Sequence, residues 1–148
     1  SQPLFADPFV LVARPGDFKP GAVRLSELGG VPMVGQHANS CQLMNEMGLR
    51  AAGLEPNYVF RTNDNGTVSA MVKAGLGVAV MPLLCVEPND PGLALHALRP
   101  ALPDRRISIA WRKGRTLSPV ARRFVELALE ESVVFVDRTL PAKATTAA

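Results

Sequence analysis

The stretch TVSAMVKAGLGVAVMP, residues 67–82, does more than any other to determine the fold of this chain. Its first half places Val68, Met71 and Val72 three and four positions apart, which is the spacing of one face of an α-helix. Gly75 follows at a point where a helix needs a residue in the left-handed conformation to end. The first half therefore predicts an amphipathic helix that ends at a glycine.

The second half of the same stretch is apolar without interruption. Residues 78–81 have the continuous apolar pattern of a strand that is covered on both faces, and Pro82 closes the run. Together the two halves predict a helix over about residues 66–74 with a buried strand behind it. This is the packing unit of an α/β domain.

A second helix is predicted over residues 40–52. Asn39 is a good N-cap residue, and Gln42 occupies the third helical position, as in a capping box. Gly53 ends the helix. The side chains that we expect this helix to bury are those of Leu43, Met44, Met47 and Ala51.

The other apolar segments predict the remaining strands, at residues 9–13, 31–34, 58–62, 93–98 and 107–111. Because strands alternate with helices between residues 31 and 81 and the loops are short, we expect a parallel α/β sheet. Ser118 and Pro119 open a last helix with an N-cap and a first-turn proline. We expect one domain over residues 3–131 and a partly disordered tail over 132–148.

Size and composition limit the classes of protein to which the chain can belong. Its 148 residues suffice for one domain with a core, and 47% hydrophobic and 20% charged residues are typical of globular proteins. No apolar run approaches the roughly 20 residues that span a bilayer, so we expect no membrane partner. Positions 99–123 hold eight basic residues and one acidic residue, which we interpret as a solvated edge rather than a nucleic-acid surface.

The cysteines and histidines do not form a pattern that indicates chemistry. Cys41 and Cys85 lie 44 positions apart, with no CxxC motif and no histidine at metal-ligand spacing. Unpaired cysteines are typical of the cytoplasm. His37 and His96 have no catalytic partner at a suitable spacing, so we predict no catalytic residue, metal or cofactor and expect that the protein is not an enzyme.

A polar crevice is predicted where two neighbouring strands end. The loop before the helix at 40–52 presents the N–H groups and the positive end of that helix, which favour a carboxylate. In a parallel sheet the next strand ends at the same edge, so the side chains after it should face the same crevice. The ligand-binding residues that we expect are Gln36, His37, Asn39, Ser40, Cys41, Thr62 and Asn63. The alternative is that Asn39 and Ser40 only cap the helix.

Six segments occur in the order and spacing of one known family: PLFADPFVLVARPGD, LSELGGVPMV, VFRTND, MVKAGLGVAVMP, ISIAWRKG and SPVARRFVELALE. Over residues 3–131 the chain resembles the effector-binding domain of LysR-type transcriptional regulators. The resemblance implies a periplasmic-binding-protein type 2-like α/β fold. It covers the second subdomain, whose parallel or mixed sheet is flanked by helices, together with the two crossing strands and the last helix of the first subdomain.

The same resemblance implies the effector-sensing and oligomerisation domain of a cytoplasmic DNA-binding regulator. A small, anionic organic effector would bind in the cleft between the subdomains. DNA would be bound only through the N-terminal winged helix-turn-helix, which this chain lacks. Because the contacts of the other half-domain are also missing, we expect this chain alone to bind an effector weakly or not at all.

Two other functions compete with this interpretation. A solute-binding protein of a transporter shares the fold, and it would carry a signal peptide or lipid anchor where a regulator carries its helix-turn-helix. An enzyme on the same fold would need a base or nucleophile with an orienting partner, and apart from Cys41 the sequence offers no candidate. The residues upstream of Ser1 would distinguish these cases.

Cys41 lies where the peroxide-sensing members of the family carry their reactive cysteine, and a helix N-terminus favours a thiolate. Those members need a second cysteine nearby, whereas Cys85 belongs to another segment. We therefore interpret Cys41 as a buried or pocket-lining residue and expect no disulfide between it and Cys85.

We also expect a homo-oligomer. The strand at 9–13 and the last helix resemble elements that pack against the absent half-domain. Phe124, Leu127 and Ala128 would then be bare, as would one edge of the sheet, and a dimer would cover them.

Overall fold

The computed structural model describes residues 1–38, 40–87, 89–114 and 116–139, without the side chains of Ser40 and residues 136–139. The chain forms two compact units: residues 8–105, and residues 1–7 together with the chain from residue 106 onward. Its strands are β1 Gln2–Asp7, β2 Phe9–Ala13, β3 Val23–Arg24, β4 Pro32–Gly35, β5 Asn57–Arg61, β6 Ala79–Pro82, β7 Ala94–Arg99 and β8 Arg105–Ile109. Its helices are α1 Ser40–Ala51, α2 Asn65–Lys73 and α3 Pro119–Thr139, with 3-10 turns at Leu25–Leu28 and Leu83–Cys85.

The larger unit is built on a mixed sheet. Four strands pair in the order β3-β7-β2-β6, and a parallel bridge between Met33 and Val78 links this sheet to the parallel pair β4-β5. β2 is antiparallel to both β6 and β7, whereas β3 is parallel to β7. The parallel strands predicted between residues 31 and 81 are confirmed by the β4-β5 pair and the Met33–Val78 bridge. The antiparallel β2 makes the sheet mixed, in agreement with the parallel or mixed sheet that the resemblance implied, and no crossover helix sets its direction because no helix adjoins it along the chain.

The sheet is covered on both faces, as the continuous apolar run predicted. Along β2, Phe9, Leu11 and Ala13 join one core cluster, which also contains Leu49 of α1. The second cluster contains the other side chains of β2 together with those of α2 that the opening stretch predicted to be buried, namely Val10, Val12, Val68 and Val72. Fully burying an aliphatic side chain of this size stabilises the fold by about 1.5–3 kcal/mol.

Both predicted helices of the larger unit are confirmed, at Ser40–Ala51 and Asn65–Lys73. The Asp64 carboxylate caps α2 by accepting the backbone N–H of Thr67 at 2.6 Å. Gly75 has a φ of +81°, which confirms the left-handed position that the sequence indicated after α2.

The predicted inner face of α1 is wrong. Leu43, Met44 and Met47 are exposed by 51%, 42% and 69%, and Ala51 is exposed as well. The buried positions are Gln42, Asn45, Glu46 and Leu49. These buried residues have the helical spacing of the predicted ones, shifted by about one position along the chain. The helix therefore turns a mostly polar face toward the core.

The smaller unit consists of β1, β8 and α3. β1 pairs with β8, and α3 packs on β1, with the rings of Phe5 and Phe135 5.3 Å apart. The predicted cap is present, because Ser118 Oγ accepts the N–H of Ala121 at 3.2 Å. The sequence did not predict β1, and the strand expected to reach residue 111 ends at Ile109.

Two expectations concern the chain beyond these elements. α3 continues to Thr139, eight residues past the predicted domain end at residue 131. The domain boundary and the disorder of the tail stay predictions, since residues 140–148 lie outside the described part of the chain. In that part, no helix is both long and apolar enough to cross a lipid bilayer.

The strand at 9–13 is not bare. As β2 it lies between β6 and β7, and all five of its side chains are buried. The exposure expected for Phe124 and Leu127 is confirmed at 63% and 40%, whereas Ala128 is half-buried.

Candidate functional site

The carboxyl ends of β4 and β5 lie side by side. The two strands are parallel, with Gly35 opposite Arg61, and the N–H of Thr62 donates to the Gly35 carbonyl at 3.0 Å. Gln36 and Thr62 therefore leave the sheet as neighbours. The loops that the sequence assigned to one crevice do start from adjacent points.

The structure places the predicted site residues as follows: Gln36, Cys41 and Thr62 are half-buried, and His37 and Asn63 are exposed. Asn39 lies outside the described residues, and the side chain of Ser40 is not described. Gln36 ties the two loops together, because its side-chain amide donates to Oδ1 of Asn65, the first residue of α2.

A buried polar network joins this loop to α1. The backbone N–H of Gln36 donates to Oε1 of Gln42 at 3.0 Å. The Gln42 amide nitrogen donates to Glu46 Oε1 at 2.9 Å and to the Tyr58 hydroxyl at 2.8 Å. The capping box expected of Gln42 with Asn39 stays a prediction, since Asn39 lies outside the described residues. The described bonds make Gln42 a link between the loop, α1 and β5.

Arg61 closes the network from the end of β5. One of its nitrogens, Nη1, donates to the Gln36 carbonyl at 2.7 Å and to Glu46 Oε1 at 2.8 Å. Its guanidinium also lies 4.1 Å from the centre of the Tyr58 ring, a cation–π distance. Gly35 makes room for that ring, since a Cβ at this position would collide with it. The backbone of Gln36 is thus held by one side chain of α1, Gln42, and one of β5, Arg61.

The network shifts the ionisation of two of its members. Burial alone would raise the pKa of Glu46, but hydrogen bonds from Arg61 and Gln42 and the charges of Arg61 and Arg50 outweigh it, so the pKa lies below its ordinary value. Burial raises the pKa of Tyr58 to about 12, with the Gln42 bond acting in the opposite direction. At neutral pH, Glu46 is therefore ionised and the Tyr58 hydroxyl is neutral.

The lowered pKa of Glu46 predicts how stability depends on pH. A carboxyl whose pKa is lower in the folded chain stabilises the fold above its unfolded pKa, about 4.3, and loses that contribution as the pH falls through the folded value. We expect Glu46→Gln to reduce the fall in unfolding free energy between pH 6 and pH 3, measured by urea denaturation at each pH. Equal falls in wild type and variant would contradict the prediction, and Glu126→Gln on the exposed surface of α3 is the control.

A small cavity lies beside the start of α1. It has a volume of about 10 Å³, the room of one water molecule, and its lining includes Gln36, Cys41 and Asn45. Asn45 is 2% exposed and donates from Nδ2 to the Val80 carbonyl at 2.8 Å. Its Oδ1 has no hydrogen-bond partner among the described residues, so the cavity has a polar wall as well as an apolar one.

Cys41 belongs to this cavity and not to a cysteine pair. Arg105 Nη1 lies 3.6 Å from its sulfur. Both thiols are free, and Cys85 packs against the core cluster beneath α2. The absence of a Cys41–Cys85 disulfide after peroxide treatment stays a prediction.

The residues that support the site were not predicted from the sequence, namely Gln42 in this role, Glu46, Tyr58 and Arg61. A signal was available, because Gln42, Asn45 and Glu46 repeat at helical spacing as the apolar residues do. Choosing between the two faces of α1 requires knowing that Arg61 and Tyr58 lie beneath it, which only the fold supplies.

The sequence matches the LysR substrate binding domain family over residues 1–132. It is similar to the DNA-binding transcriptional dual regulator OxyR of Escherichia coli (strain K12), with 30% identity over 134 residues, 85% of this chain and 42% of that protein. The chain spans 24% to 42% of the length of the curated relatives it matches.

Solved structures resemble the fold over most of the chain. The CcmR regulatory domain of Synechocystis PCC6803, solved in complex with 2-PG, has a TM-score of 0.78 and 16% identity, over 88% of this chain and 65% of that one. The C-terminal domain of a probable LysR family transcriptional regulator from Rhodococcus sp. RHA1 has a TM-score of 0.74 and 28% identity, over 85% of this chain and 65% of that one. These likenesses confirm the periplasmic-binding-protein type 2-like α/β fold that the resemblance implied.

Proposed function

This chain belongs to the LysR substrate-binding domain family, and we propose from that membership that it senses a small organic anion for a DNA-binding transcriptional regulator. The regulator would act in the cytoplasm and would contact DNA through a helix-turn-helix outside this chain. Its relatives are regulators rather than enzymes, which supports a role without catalysis.

One observation carries the proposal: the loop after β4, the start of α1 and the end of β5 meet at Gln36, and the network beneath holds them in place. Thr62 lies beside Gln36, because its backbone N–H donates to the Gly35 carbonyl. Helix α1 begins at Ser40, four residues after Gln36. A helix start offers N–H groups and positive potential to an anion. The CcmR domain, which shares the fold, was solved with 2-PG and so supports a small-molecule ligand.

The network does not oppose an anion at the helix start. Arg61 donates to the Gln36 carbonyl at 2.7 Å, and the charge of Glu46, which is 8% exposed, is balanced by its ion pair with Arg61 at 2.8 Å. We propose that Gln36, His37, Asn39, Ser40, Cys41, Thr62 and Asn63 contact the ligand. The buried Glu46 and Tyr58 would position the loop without contacting it.

Thermal unfolding with a panel of small organic acids tests the proposal. Each acid is paired with its uncharged amide at the same millimolar concentration and ionic strength. A ligand present at its own Kd adds about 0.4 kcal/mol to the unfolding free energy, which raises the Tm by about 1–2 °C. At least one acid should raise the Tm where its amide does not, and a panel in which acids and amides behave alike would contradict the proposal.

We further propose that the chain self-associates through α1. Leu43, Met44 and Met47 lie within one turn of each other and are all exposed, although the helix itself is held by polar contacts on its inner side. Among the described strands, β5, which follows α1, pairs only with β4, and it also exposes Val59 and Phe60, by 48% and 37%. An apolar helix face and an open strand edge are features that a second copy can cover symmetrically.

The apolar face of α3 has a different expected occupant. By its resemblance to the family, α3 belongs to the first subdomain, whose other elements this chain does not contain. Those elements would cover Phe124 and Leu127 in the whole regulator. We therefore assign the contact between copies to α1.

A further inference from the structure

A second concavity lies on the opposite edge of the sheet from β5, along β3. It has a volume of about 530 Å³, and its walls include Phe18, Lys19, Pro20, Arg24, Glu27 and Arg99. Three of these residues are cationic and one is anionic, so the concavity carries a formal charge of +2. None of its residues belongs to the proposed effector site.

The two arginines are neighbours by strand pairing. β3 and β7 are parallel with Arg24 opposite Arg99, and paired strands lie only about 4.8 Å apart. Like charges at opposed positions repel each other. Among the described residues, neither arginine forms an ion pair, and the nearby Glu27 carboxylate accepts the backbone N–H of Arg24 at 2.9 Å. The fold therefore leaves two adjacent guanidinium groups without a partner in the described chain.

The third cation is carried by a loop that is anchored from beneath. His96 of β7 is 7% exposed, and its Nδ1 lies 3.1 Å from the Gly21 carbonyl. Because a carbonyl only accepts, this nitrogen carries the proton and donates. The Phe18 ring meets the imidazole edge-on at 5.9 Å. These contacts anchor the loop on both sides of Lys19, which lines the same concavity as the two arginines.

We propose that this concavity binds the phosphate group of a small phosphate ester, as a second anion site distinct from the effector crevice. A phosphate monoester carries close to two negative charges at neutral pH and offers three acceptor oxygens, and guanidinium groups bind such oxygens in bidentate fashion. Phe18 and Pro20 supply an apolar wall for the organic part of the ester. Binding would relieve the repulsion between Arg24 and Arg99.

Calorimetric titration of the chain with phenyl phosphate tests the proposal, with inorganic phosphate as the second probe. Phenyl phosphate should bind more tightly than phosphate, because only the ester reaches the apolar wall. The double variant Arg24→Gln with Arg99→Gln loses both guanidinium groups that would bind the phosphate oxygens, so it should weaken phenyl phosphate binding at least about tenfold. Both side chains are exposed, and circular dichroism checks that the double variant folds.

The control is Arg112→Gln, which removes one exposed positive charge outside the concavity. It should leave the affinity for phenyl phosphate unchanged. Unchanged affinity in the double variant would overturn the proposal, and so would an equal loss in the control or equal affinity for the two probes. No detectable binding of phenyl phosphate by the wild-type chain would overturn it as well.

Discussion

Met47→Glu is expected to be a monomer at protein concentrations where the wild-type chain is a dimer. Met47 is 69% exposed on the apolar face of α1, beside Leu43 and Met44, so a carboxylate there faces solvent in the monomer. A symmetric dimer that buries this face contains the substituted residue twice, so each copy would bring one carboxylate into the interface and both would be desolvated. We expect the dimer Kd to rise at least about tenfold, the equivalent of 1.4 kcal/mol.

Analytical ultracentrifugation over a concentration series measures this change. Ala70→Glu is the matched control, because it adds the same charge at an exposed position of a different helix, and it should leave the dimer intact. Phe124→Glu tests the surface that sequence analysis favoured. Dissociation by Phe124→Glu but not by Met47→Glu would contradict the assignment to α1, as would a wild-type chain that is monomeric at tens of micromolar.

Arg61→Met is expected to lower the free energy of unfolding by about 1–3 kcal/mol. The substitution leaves the Glu46 carboxylate, whose side chain is 11% exposed, without the bond from Arg61 at 2.8 Å, and frees the Gln36 carbonyl. A fully buried pair broken in this way would cost about 3–5 kcal/mol, and the 32% exposure of Arg61 moderates that loss. Urea denaturation gives the change.

Two further variants show whether the loss comes from the pair. Arg123→Met removes an arginine that pairs with Glu126 and Glu130 on the surface of α3, with 58% of its side chain exposed, and should cost less than about 1 kcal/mol. The double variant Glu46→Leu with Arg61→Met should lose less unfolding free energy than the two single variants lose together. Each single variant leaves one charge of the pair without its partner, whereas the double variant removes both charges. If the loss of unfolding free energy in the double variant equals the sum of the two single losses, Arg61 and Glu46 are not coupled and the prediction is contradicted.

The sequence predicted the elements well because each carried its own local signal. α2 had an apolar stripe, a cap at its start and Gly75 at its end, and the structure begins and ends it within a residue of the expected positions. β6 had an unbroken apolar run, which correctly indicated burial on both faces. The direction of β2 depends on its pairing with the distant β6 and β7, and no local pattern encodes that.

The site shows the same division between local and distant information. The loops after β4 and β5 could be placed together, because parallel strands joined by a helix end at one edge. The inner face of α1 could not be chosen from sequence, since an apolar stripe usually faces the core and here the polar stripe meets Arg61 and Tyr58. Hydrophobic spacing gives the phase of a helix, but the partner beneath decides which face turns inward.

The most direct test of the account is an NMR titration of the isotopically labelled chain with the organic acids that raise its Tm. We expect the largest amide shifts at residues 36–41 and 62–65, with smaller ones along the network at Gln42 and Arg61. Asn63→Ala should reduce these shifts, whereas Asn57→Ala, at the opposite end of β5, should not. Largest shifts on α3 or around the β3 concavity, or no acid that moves the amides at 36–41, would contradict the central claim that this crevice senses an organic anion.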